Sequence, residues 1–223
     1  MIKAKLLLVF FIHILTYAKI IYYLCTTNIV HIMKLVLMST PNFFVEEHHI
    51  LTALFDEGLE MVHLDKPNSE PVFCERLLSL LPESYRKLIV THDHFYLQNE
   101  YELKGIHLSE RNPQIPEGYR GCVSCSCDSF DNISQVKKDM DHVLYDVTDI
   151  DFPTLKDASK RKLIDKKVFA TGNIDLDNVS QIADCGFGGV VLQEAIWNRF
   201  DIHNTQDFKE IIYYFRKVRR AVN

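Results

Sequence analysis

Glycine is scarce in this chain, with eight residues in 223. No glycine-rich dinucleotide fingerprint or P-loop follows any predicted strand, so Rossmann and P-loop readings find no support. An excess of positive charge is also missing. Lysine and arginine total 25 against 30 aspartates and glutamates, a formal net charge of −5. Broad nucleic-acid binding needs a basic footprint, so no nucleic-acid partner is expected; a local basic pocket for a phosphate stays compatible. With 47% hydrophobic and 25% charged residues, the chain is neither disordered, collagen-like nor disulfide-dense. Its length suits one large domain, such as an α/β barrel, or two small ones.

The six cysteines are Cys25, Cys74, Cys122, Cys125, Cys127 and Cys185. Three of them share the run 122–127, which reads as a strand. Alternation along a strand points Cys125 and Cys127 to one face and Cys122 to the other. They cannot easily close one metal site, and there is no second CxxC. Buried reduced thiols are expected, and reduced thiols favour a cytoplasmic location.

Acid is absent from residues 1–32, which carry Lys3, Lys5 and Lys19; the rest holds all 30 acidic residues. Residues 6–25 form an apolar run. Lys3 and Lys5 would make a basic n-region, with small residues Thr16 and Ala18 near a cleavage point, so a signal peptide or anchor is one reading. Lys19 would cost a membrane span about 2.5–3.5 kcal/mol. A misplaced start is the second reading, since the segment has the Ile, Leu, Tyr, Lys, Phe and Asn bias of translated AT-rich sequence. An ordered appendage is the third. Membrane contact is expected only if the segment is a true anchor. The fold is expected to begin at Met33.

From there the chain alternates. Short apolar runs predict strands at 34–39, 59–65, 87–93, 105–109, 122–127, 142–147, 167–172 and 188–193. Helical spacing predicts helices over 44–58, 70–82, 95–103, 133–140, 155–164, 176–186 and 207–221. Between the fourth and fifth strands the loop 112–118 stands where a helix would be. Eight strand–helix units in this length predict a (β/α)8 TIM barrel over residues 33–223 with an apolar N-terminal extension, 1–32.

In such a barrel the site lies at the C-terminal ends of the strands. That rim gathers His63, Asp65, Lys66, His92, Asp93, His94, Ser109, Glu110, Asn112, Ser126, Asp128, Asp146, Gly172, Asn173 and Gln193. Asp93 with Glu110, Asn112 or Asp128 suits Mg²⁺, which prefers oxygen ligands. Alternatively His63, His92 and His94 with a carboxylate suit zinc. His107 reads as a hydrogen-bonded structural histidine.

As a set, the ST-P turn after the first strand, HLDKP after the second, THD after the third, GIHLSERN, SCSCDS, ATGNI and GFGGVVL carry a resemblance. In their order and spacing, residues 33–223 resemble thiamine phosphate synthase and its TenI-like relatives. That resemblance implies a transferase of thiamin biosynthesis. It would join hydroxymethylpyrimidine diphosphate to thiazole phosphate with release of diphosphate, using Mg²⁺ and a backbone phosphate cup at strands 7 and 8. Its partners would be these small phosphorylated precursors, and a homo-oligomer is compatible with it.

The family's Gln-x-Arg-x-Lys stands here at His63, Asp65 and Pro67, with Lys66 one residue out of register as a partial substitute. The Asn-Asp pair stands at His92 and Asp93, and the second metal aspartate at Asn112. The strand 5 serine is Ser126, and the histidine after it is Asp128. The Thr-x-Thr-Lys loop reads Asp151-Phe152-Pro153-Thr154, with Lys156 further on. The Gly-Gly-Ile cup is Gly172-Asn173-Ile174, with Gln193 at the end of strand 8. The resemblance therefore implies metal ligands Asp93 and Asn112. It also implies substrate contacts at His63, Asp65, Lys66, His92, Ser126, Asp128, Gly172, Asn173 and Gln193, and names no catalytic residue. The lost cations predict weak or absent synthase turnover. The alternatives are a degenerate, non-catalytic barrel that binds a thiamin-related ligand or a partner, and a remodelled metal-dependent enzyme.

Overall fold

The computed structural model describes residues 33–200 and 208–222. The readings made for residues 1–32 and for Cys25 lie outside the described residues. Eight parallel strands close into a barrel in sequence order. They are β1 (Lys34–Met38), β2 (Met61–Leu64), β3 (Ile89–Thr91), β4 (Gly105–Leu108), β5 (Cys122–Cys127), β6 (His142–Asp146), β7 (Val168–Thr171) and β8 (Gly189–Leu192). Closure comes from β1 pairing with β8, Lys34 opposite Gly189 and Leu37 opposite Leu192.

The helices are α1 (Glu47–Asp56), α2 (Pro71–Leu80), α3 (Glu83–Arg86), α4 (Leu97–Glu100), α5 (Phe130–Asp139), α6 (Phe152–Lys160), α7 (Val179–Ala183), α8 (Glu194–Trp197) and α9 (Lys209–Val222). No helix stands between β4 and β5, as the loop there predicts. Among the described residues no helix is long and apolar enough to cross a membrane.

Strand alternation sorts the core into two parts. Val36, Met61, Val90, Leu144, Phe169 and Val191 meet inside the barrel. Leu35, Leu37, Val62, Leu64, Val143, Tyr145, Val190 and Leu192 face outward into the layer beneath the helices. This two-sided burial explains why the strands read as nearly continuous apolar runs. The closing helix α9 repeats the logic at helical spacing. It buries Ile211, Tyr214, Phe215, Val218 and Val222 and sends Arg216 to the Glu57 carboxylate, 2.7 Å away.

Element ends differ from the sequence expectation where side chains redirect the backbone. Helix α6 starts three residues early because Asp151 accepts from the Thr154 N–H at 2.9 Å with Pro153 in the first turn. Helix α7 starts three residues late. Asn178 Oδ1 accepts from the Asp175 N–H at 3.1 Å, and Asn178 Nδ2 donates to the Asn173 carbonyl at 2.7 Å. These bonds satisfy the backbone of 173–178 as a turn. Helix α8 was not expected from the sequence at all.

Candidate functional site

The loops after β2, β3 and β4 bring four polar side chains together at the C-terminal rim. The loop after β4 is tied by Ser109 and Asn112, each donating its N–H to the other's carbonyl at 3.2 and 3.1 Å. Arg111 and Asn112 stand at its tip. Arg111 Nη2 donates to Asp65 Oδ1 at 2.5 Å and to Asp93 Oδ2 at 3.2 Å. Asn112 Nδ2 donates to Asp93 Oδ1 at 2.7 Å and to the His92 carbonyl at 3.2 Å, leaving its own carbonyl oxygen uncommitted by these bonds. Hydrogen bonding to Asp93, then to Asp65, raises the Arg111 pKa. The Arg111 side chain is 41% exposed, so the pair of salt bridges sits at a wet rim. There such contacts are exchangeable.

Beneath this rim the barrel interior holds four buried histidines above and beside its apolar cluster. His63, His92, His107 and His142 are each at most 4% exposed. His63 Nδ1 lies 2.9 Å from His92 Nε2, and His63 Nε2 lies 3.0 Å from His142 Nε2. His92 Nδ1 faces Asp65 Oδ1 at 3.8 Å. A neutral imidazole offers one donor and one acceptor, so each contact along His92, His63 and His142 pairs one N–H with one lone pair, and the tautomers set which side donates. His107 packs parallel to His92 with ring centroids 4.1 Å apart. Its ring nitrogens meet Ser124 Oγ at 2.9 Å and Ser126 Oγ at 3.2 Å. Burial first, then neighbouring imidazoles, holds His63 and His92 well below the usual histidine range. Burial pushes His107 and His142 down to about 3. All four are neutral near pH 7.

Two expected rim contacts are corrected. His63 is fully buried inside the barrel, because its position on β2 points inward with Met61. Lys66 is also fully buried and does not face the rim as a free cation. Its Nζ donates to Glu47 Oε1 and Oε2 at 2.6 and 2.8 Å and to the Asn42 carbonyl at 3.0 Å, and it sits 4.4 Å from the Phe43 ring centroid. The Glu47 carboxylate at the start of α1 takes the ammonium away from solvent. Burial outweighs the attraction of Lys66 and pushes Glu47 up to about 7. His94 leaves the histidine group as well. Its backbone is left-handed, with φ 52°, and its Nε2 meets the Ser69 carbonyl at 2.9 Å.

The remaining candidates line two clefts on the same rim. Ser126 and Asp128 share one of about 680 Å³ with Glu110, Asp146 and Thr171. Gly172 and Asn173 line a second, of about 570 Å³, with Glu194 and Arg199. Gln193 is exposed beside α8. Gly172 has φ +110°, and a Cβ there would collide with Thr148 Oγ1 and Asp146 Oδ1, so this turn accepts only glycine without a shift. Asn173 is exposed, and its carbonyl is held by Asn178.

Sequence reasoning missed His142 and Glu47. The parity of His142 with Leu144, two residues along the same inward face, was the available signal. Nothing local marks Glu47, which is one of two adjacent glutamates at the start of a helix.

No family model matches the sequence, and no curated protein matches it. Among solved structures, a thiamine phosphate pyrophosphorylase from Bacteroides thetaiotaomicron is similar at 46% identity. The match covers 85% of this chain and 97% of that one, with a TM-score of 0.81. A thiamine phosphate pyrophosphorylase from Pyrococcus furiosus shares the fold at 14% identity, covering 87% and 98%, with a TM-score of 0.69. The tryptophan synthase α subunit of Legionella pneumophila also shares the fold, at 14% identity and a TM-score of 0.64 over 85% and 92%. The 46% identity across nearly the whole of the Bacteroides protein shows that this chain belongs to the thiamine phosphate pyrophosphorylase, or TenI-like thiamine phosphate synthase, family.

Proposed function

We propose that the chain is a Mg²⁺-dependent transferase of thiamin biosynthesis that joins hydroxymethylpyrimidine diphosphate to thiazole phosphate and releases diphosphate. The observation that carries this reading is the Asp65–Arg111–Asp93–Asn112 group at the rim. Two carboxylates and an amide carbonyl are the hard oxygen donors that Mg²⁺ takes, so Asp93, Asn112 and Asp65 would hold such an ion once Arg111 leaves the carboxylates and the Asn112 amide turns its oxygen inward. Bound there, the metal would supply neutralisation of a departing diphosphate.

The chain's own residues do the rest. Asp65 stands where the resemblance puts the family's arginine after β2, and Arg111 brings a guanidinium to the Asp65 carboxylate from the loop after β4. Released from its carboxylates, Arg111 presents a fork of donors to diphosphate oxygens. Asn112 fixes the rotamer of Asp93. In the second cleft of the same rim, the Gly172 turn packs against Thr148 and Asp146, and Arg199 is the cation among lining residues that include Asp175, Asp177 and Glu194.

Diphosphate release from the two precursors, with and without EDTA, tests the reading. Mg²⁺-dependent release that Asp93→Asn abolishes supports it. A second reading, a binding barrel without turnover, is favoured by the burial of Lys66. It predicts that the precursors bind and no diphosphate appears.

A further inference from the structure

We infer that the barrel interior holds a tris-histidine site for a borderline transition-metal ion such as Zn²⁺, built from His63, His92 and His107. The site lies below the Mg²⁺ position and shares Asp65 with it as an outer partner, and it does not depend on the transferase reading. One ligand nitrogen from each residue lies within 4.8 Å of the other two. His63 Nδ1 and His92 Nε2 already converge at 2.9 Å. Zinc–imidazole bonds of about 2.0–2.1 Å set tetrahedral ligands roughly 3.3 Å apart, so this pair needs only a small spread.

The surrounding groups match what ligating histidines require. A metal-bound imidazole usually hands its other nitrogen to a polar partner that fixes its tautomer. His92 turns Nδ1 to the Asp65 carboxylate at 3.8 Å. His63 turns Nε2 to His142 at 3.0 Å. His107 has a serine hydroxyl at each nitrogen, so whichever one ligates, the other keeps a partner. Imidazoles held neutral by burial ligate without a net loss of protons; His63 ligates through Nδ1 with its proton on Nε2, toward His142. Asp65 supplies a negative charge beside His92. Ser126 lies against His107 at 3.2 Å and also lines the rim cleft, so one side chain separates the site from that cleft.

One rearrangement is required. His92 and His107 are stacked with 17° between their planes, so their in-plane lone pairs run side by side. Ligation turns the His107 ring out of the stack, exchanging one serine contact for the metal.

The full chain, stripped with a chelator and dialysed, is titrated with Co²⁺ as a spectroscopic probe. The expected result is the visible absorption of tetrahedral cobalt saturating at one equivalent, reversed by Zn²⁺ and untouched by excess Mg²⁺, with a higher melting temperature. His107→Gln and His63→Gln should lose the band. Asp65→Asn should weaken binding about tenfold or more. His94→Gln should leave the titration unchanged, as should replacement of the adjacent, exposed-side pair His48 and His49. Absence of a saturable band in the unsubstituted protein overturns the site, whether or not the histidine variants fold. A band lost with His94 or with His48 and His49 overturns it too.

Discussion

Arg111 is the residue on which the rim's chemistry turns. In this structure it balances Asp65 and Asp93. If it also receives the substrate diphosphate, Arg111→Ala should lower kcat/KM on the order of 100-fold. That is about 3 kcal/mol, in the range of a close charge pair at an effective dielectric of about 20. A steady-state comparison in which the variant equals the parent would remove Arg111 from the site. Lys66 belongs to the fold instead. Removing one member of a buried pair strands the other, so Lys66→Met should cost about 3–5 kcal/mol in urea unfolding. The double change Lys66→Met with Glu47→Leu should recover most of that loss, and a double variant no better than the single would contradict the pairing. These roles were only partly legible. Asp93 and Asn112 were placed together by the order of the strands. The fate of Lys66 was not, because a lysine in HLDKP reads the same whether it faces a phosphate or a buried carboxylate nineteen residues upstream.

At the scale of elements, the inward faces of β2, β4 and β6 and the end of β3 carry the histidines. Unfolded imidazoles take up protons near pH 6.5, whereas His107 and His142 in the barrel do so only at about 3. Between those limits the unfolded state binds more protons, so stability falls on acidification by about 1.4 kcal/mol per pH unit for each. His63 and His92 act in the same direction. Glu47 opposes them, because a carboxyl raised to about 7 gains stability as the pH falls toward 4.5. Four histidines against one glutamate decide the sign. Urea unfolding of chelator-treated protein should show a steep loss of stability from pH 6.5 to 5, shallower in a folded His142→Gln variant; a flat profile would contradict the neutral cluster. The strands themselves were readable because burial on both faces leaves apolar runs. The histidines were grouped only in part, as His63 and His92 with His94; His107 and His142 were not joined to them, because closure of the barrel, not sequence proximity, brings β2 and β6 side chains within 3.0 Å. Helix ends at Asp151 and Asn178 were misjudged where a cap or turn side chain overrides apolar spacing.

For the whole molecule, residues 33–223 form a compact unit that contains every strand of the barrel. A chain beginning at Met33 should therefore fold and melt within a few degrees of the full one; insolubility of the shorter chain would contradict this. The barrel's topology and its missing helix followed from the alternation of runs, and the family from the order of motifs around the rim. What the rim does with its substituted residues depends on which cations reach it, and that is a property of the folded mouth. The most direct measurement is diphosphate release by the full chain supplied with both thiamin precursors and Mg²⁺. The account predicts release that stops with EDTA and with Asp93→Asn and falls on the order of 100-fold with Arg111→Ala. Binding of both precursors with no diphosphate released would contradict it.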